Sequence, residues 1–110
     1  MTMRERSSWG YLLVWQFTIK GEFRQQFETV YGPDGEWAAL FRQDGNYRGT
    51  DLVRDAKDQN RYITLDYWTT RSAYLEFRSQ HKEAYRQVDQ TCEQMTEEEI
   101  ELGAFERVQT

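Results

Sequence analysis

Two polar side chains interrupt stretches that otherwise read as buried strands. Gln16 lies within the run Tyr11 to Ile19, and Asp66 within Arg61 to Trp68. An unpaired polar group inside a protein costs about 2–7 kcal/mol, so each of these needs a protein, water or ligand partner. Both are candidates for a small-molecule site. Trp68 and Tyr74 follow closely and could pack a substrate ring or simply fill a core. His81, the sole histidine, falls on an apolar helical stripe. Such a residue is ordinarily an interior or boundary histidine, with general-base duty as the alternative reading. Arg86 either meets developing negative charge or is a solvated helix charge.

Other chemistries find no residues to carry them. The sequence has no glycine-rich phosphate loop and no zinc-spaced Cys/His cluster, and a Ser-His-Asp arrangement would have to use His81. The carboxylates show no spacing that marks a metal or acid-base pair. Cys92, the only cysteine, cannot form an intramolecular disulfide, and its place on an apolar stripe predicts a buried structural thiol. With one histidine and one cysteine, neither a metal nor a haem cofactor is expected.

The elements that must position these groups follow from hydropathy. Along Tyr11 to Ile19 both alternating faces are mostly apolar: Tyr11, Leu13, Trp15, Phe17 and Ile19 point one way, and Leu12, Val14, Gln16 and Thr18 the other. Such a strand needs cover on both sides, and the chain holds helix for only one. The second face is therefore expected to meet another copy, giving a homodimer.

After a turn at Lys20-Gly21, the spacing of Phe23, Phe27, Val30 and Tyr31 predicts a helix. Gly32-Pro33-Asp34-Gly35 breaks it, and Asp34 is expected to cap a second piece carrying Trp37, Leu40 and Phe41. Tyr47 to Asp55 reads as a polar edge strand, Lys57 to Asn60 as a turn, and Arg61 to Trp68 as its hairpin partner. Thr69 or Thr70 can cap a long helix whose stripe runs Tyr74, Phe77, His81, Ala84, Tyr85, Val88, Cys92 and Met95. Thr96 and Glu99 have capping-box spacing, Glu97 to Glu101 reads as a solvated connection, and Ile100 to Val108 forms the last strand.

Strand, helix, strand, strand, helix, strand is the order of a ferredoxin-like α+β fold: one four-stranded antiparallel sheet with its helices on one face. One domain over residues 1–110 is expected, with 1–10 as a flexible or loosely docked arm. A net charge of −5 with scattered cations argues against nucleic-acid or anionic-membrane partners. No stretch reaches membrane-spanning length, and the run after Arg4 and Arg6 lacks a cleavage site, so a cytoplasmic location is expected.

At this level of detail the chain resembles the antibiotic biosynthesis monooxygenase family of dimeric α+β barrels. The residues that carry the resemblance are YLLVWQFTIKGEF, EWAALFR, YRGTDLVRD and RYITLDYWTTRSAYLEF, within about Tyr11 to Glu106. The resemblance implies two sheets packed face to face and a cleft between each sheet and its helices. It also implies, for some members, oxidation of polycyclic phenols by molecular oxygen with no cofactor. By spacing, Trp68 and Tyr74 match the Trp and Tyr of those members, Thr64 stands where they have Asn, and Arg86 is near their Arg. Taken with the polar residues above, the candidate roles are substrate contact for Trp68, Thr64, Gln16 and Asp66, and proton or oxyanion handling for Tyr74, His81 or Arg86. The haem-degrading branch fits worse, because Val14 and Phe77 stand at two of its positions and His81 comes too early for its iron ligand. The alternative is a non-catalytic dimeric binding or stress-response module with the same fold.

Overall fold

The computed structural model describes residues 8–108. Strands β1 (Tyr11–Ile19), β2 (Tyr47–Arg54), β3 (Arg61–Trp68) and β4 (Thr96–Glu106) form one antiparallel sheet in the order β2-β3-β1-β4. The two strands with the most apolar sequence lie in the middle, where both neighbours can satisfy their backbone groups. Helices α1 (Arg24–Tyr31), α2 (Glu36–Phe41), α3 (Arg71–Gln80) and α4 (Lys82–Cys92) complete the ferredoxin-like α+β fold. Residues 1–7 of the expected arm lie outside the described residues. Residues 8–10 are docked: the Gly10 amide donates to the Trp68 carbonyl at 2.9 Å, and Trp9 packs on Tyr67 with ring centroids 5.4 Å apart.

The core lies between sheet and helices and is built mainly of aromatic rings. Phe27 stacks on Tyr31 at 4.2 Å, and Trp68 meets Phe41, Tyr47, Tyr74 and Phe77 at centroid distances of 5.1–5.7 Å. Trp68, Phe27 and Phe77 are fully buried. Rings supply much apolar area for few rotatable bonds, which suits a chain of this length.

Several local expectations need correction. Asp34 does not cap α2: Gly35 occupies that position with no side-chain bond, and Asp34 instead pairs with Arg42 at 3.5 Å. Gly35 is required by space, because a Cβ there would lie 2.2 Å from the Val30 carbonyl oxygen. Of the two candidate threonines, Thr70 caps α3, accepting from the Ala73 amide at 3.1 Å. The long helix is two helices, since His81 leaves the helical region at φ −120° and ψ 31°. Its Nδ1 lies 3.1 Å from the Phe77 carbonyl, which also accepts the His81 amide, and its ring stacks on Phe77 at 4.5 Å. A side chain reaching back to the preceding turn bends a helix in this way. Finally, β4 starts at Thr96, so the glutamate-rich segment is strand and the Thr96–Glu99 contact of 3.4 Å is no helix cap.

A bulge in β2 sets up the site. The register with β3 shifts between Tyr47 and Gly49, and Gly49 has φ 112°, a conformation natural to glycine. The extra residue puts Tyr47 and Thr50 on the same side of the strand, whereas strict alternation would oppose them. Both are buried on the helical side.

Candidate active site

Between sheet and helices lies a cleft of about 530 Å³, counting its solvent-filled mouth. Its walls are Trp15, Phe17, Tyr31, Trp37, Phe41 and Tyr85, and its polar lining is Thr50, Thr64, Asp66, Asp89 and Glu99. Strands β1, β2 and β3 supply the floor, α1 and α2 one wall, α4 another, and β4 brings Glu99 to the rim. Small-molecule sites commonly have this mixture of apolar walls and few polar groups.

At the floor a hydrogen-bond relay ends on a carboxylate. The Thr50 hydroxyl donates to Asp66 Oδ1 at 2.6 Å, so its single proton is committed and the contact of 2.5 Å with Tyr47 must run from the Tyr47 hydroxyl to Thr50 Oγ1. Burial raises the Asp66 carboxyl from 3.8 to about 6, against the opposing hydrogen bond from Thr50. Burial also pushes the Tyr47 phenol up to about 12, with the Thr50 bond opposing, so it stays a donor at neutral pH. Asp66 is thus an ionised carboxylate near neutrality that takes a proton with little further acidification.

The remaining groups divide by location. Thr64 is buried beside Asp66, and among the described residues its hydroxyl has no hydrogen-bond partner. Trp68 is fully buried behind the lining, packed on Phe41 and Tyr74. The Tyr74 hydroxyl accepts from Arg78 Nη1 at 2.9 Å, and the Arg78 guanidinium also lies 3.7 Å from the Tyr85 ring centroid. Burial raises the Tyr74 phenol, with Arg78 pulling it back.

Three expected site residues stand apart from the cleft. Gln16 lies on the helix-free face of the sheet, where its Oε1 accepts from Arg61 at 2.7 Å. His81 sits at the junction of α3 and α4 against Phe77. Arg86 is exposed and paired with Glu83 at 2.6 Å, one helical turn away. The cleft therefore brings together Thr64 and Asp66, backed by Trp68 and Tyr74.

Sequence reading did not single out Trp15, Tyr31, Trp37, Tyr85, Asp89 and Glu99 as lining residues. Aromatic residues at core spacing look the same whether they pack a neighbour or line a gap, and Asp89 and Glu99 resemble solvated charges. Among the described residues no group of three or more His, Cys, Asp or Glu is placed to hold a metal ion, and no helix is long and apolar enough to cross a membrane.

Comparison with known proteins accords with this architecture. The family model described as antibiotic biosynthesis monooxygenase matches residues 10–88, and the chain belongs to that family. No curated protein matches the sequence. Among solved structures, the chain is similar to SnoaB, a cofactor-independent oxygenase from Streptomyces nogalater, at 22% identity and TM-score 0.72 over 93% of this chain and 96% of that one. It is also similar to a conserved protein from Methanosarcina mazei at 10% identity and TM-score 0.69, over 96% and 100% of the two chains. At these identities the likeness is one of fold.

Proposed function

We propose that the cleft binds a small phenolic or polyketide-like aromatic and oxidises it with molecular oxygen, using no cofactor. The observation that carries this reading is Asp66, a carboxylate raised to about 6 on the floor of an aromatic cleft and tied to Thr50. A base in that range removes an activated substrate proton at neutral pH. The resulting carbanion passes one electron to oxygen, and the radical pair combines at carbon to give a hydroperoxide. Loss of water, with the second hydrogen leaving that carbon, makes the carbonyl. One oxygen atom stays in the quinone, the other leaves in water, and all four electrons come from the substrate.

In this reading the Thr64 hydroxyl meets the substrate oxygen, the aromatic walls hold the ring, and Trp68 and Tyr74 support the lining from behind. The test is oxygen uptake by the purified protein with tricyclic phenols. Asp66→Asn should lower turnover by about a hundredfold or more while the protein stays folded. Wild-type protein that binds such phenols without consuming oxygen would replace the enzyme with a binding module that uses the same cleft.

A further inference from the structure

The polar groups of the cleft are one-sided. Asp66, Asp89 and Glu99 bring carboxylates to its lining, and among the described residues no lysine, arginine or histidine lines it. Among the described residues Asp66 Oδ2 has no hydrogen-bond partner, while the hydroxyl of the buried Thr64 lines the same space without one. One nearby cation, Arg78, is already held by Tyr74 and the Tyr85 ring. Negative charge thus outweighs positive charge in a space whose walls include two tryptophans.

We propose that the ligand of this cleft is an aromatic compound carrying a basic nitrogen, whose ammonium group sits between Asp89 and Glu99 and against the faces of Trp15 and Trp37. The inference rests on the reading of the cleft as the binding site and specifies what that site selects. A carboxylate in a partly desolvated cleft attracts a cation more strongly than one in water, and tryptophan faces add a cation–π contribution. Charge already accumulates at the rim: burial first, then the Asp89 charge, push the Glu99 carboxyl above its ordinary range. A metal ion does not suit the site, because the acids are not grouped closely enough to chelate one. An ammonium on a spacer suits separated carboxylates, and it would also offset the phenolate charge that Asp66 generates.

The test uses three probes of nearly one shape: 1-naphthylmethylammonium, 1-naphthylmethanol and 1-naphthoate, titrated calorimetrically into the full chain at pH 7.5. The ammonium should bind about tenfold more tightly than the alcohol, with the naphthoate weakest, and the gap should narrow as salt is raised. Asp89→Asn combined with Glu99→Gln should bring ammonium and alcohol to within about threefold of each other. The salt series provides the same test if that double variant fails to fold. Equal binding of ammonium and alcohol overturns the charge preference and leaves the cleft as an aromatic site. Failure of all three to bind at millimolar concentration overturns both readings.

Discussion

Asp66 connects stability to chemistry at the scale of one residue. Its folded carboxyl titrates at about 6 against 3.8 for the ordinary group, so folding favours the protonated form. The stability this lends is complete below pH about 4 and is lost as pH rises to about 6, amounting to about 3 kcal/mol at most. Asp66→Asn has no proton to lose there, so its melting temperature should gain on that of the wild type across the same window. Parallel melting curves for the two proteins between pH 4 and 7 would contradict the raised value. Turnover should move the other way and rise through pH about 6, because the base must be ionised. Tyr74→Phe should be milder. It removes the acceptor of the 2.9 Å bond from Arg78, costing about 1 kcal/mol in melting experiments. Oxygen uptake should stay within about tenfold of wild type, since that hydroxyl is engaged outside the cleft lining. Abolished uptake at an unchanged melting temperature would instead place the Tyr74 hydroxyl in the reaction.

Among the elements, two devices are open to direct measurement. Thr70→Ala removes the cap of α3 and should cost about 1 kcal/mol, visible as a fall of about 4–8 °C in melting temperature. Gly49→Val places a β-branched residue at φ 112° and should cost about 1–3 kcal/mol. It should also detach Tyr47 from Thr50, so the titration of Asp66 would shift in the variant, which the pH profile of turnover reads. Much of this level was legible in the sequence, and the physical reason is periodicity. Alternation over Arg61 to Trp68 marks β3 to its observed ends, and Gly32 to Gly35 separates α1 from α2. His81 stays in phase with the stripe around it, so its spacing conceals the break that its side chain makes at Phe77. The glutamates of β4 look solvated because the pairing that holds them, with Trp15, Phe17 and Thr18, comes from the opposite end of the chain. Asp66 could be picked out as a polar group on a central strand and Thr64 through the family resemblance, whereas a cleft between aromatic residues has no signature distinct from a filled core.

At the scale of the whole molecule, the helix-free face of the sheet presents apolar side chains without a covering layer among the described residues. Leu12, Val14, Ile63 and Leu65 lie on it half-buried, and Val53 and Phe105 are 48% and 50% exposed. A patch of this kind on a small domain is normally covered, and the proposal is that a second copy covers it face to face. Light scattering at micromolar concentration should therefore give a dimer, and Leu65→Lys should yield monomers or lose the fold. A wild-type monomer at that concentration would refute the pairing. The outer edge of the sheet behaves differently. β4 carries Glu97, Glu98, Glu99 and Glu101 along a strand that has a neighbour on one side only. At neutral pH that row of like charge keeps the edges of two molecules from joining, although the backbone groups there are ready to pair. Acid removes the repulsion and leaves the template. Below pH about 4, this protein should pass from clear solution to cross-β fibres, and replacing those glutamates with glutamine should bring the same fibrillation up to neutral pH.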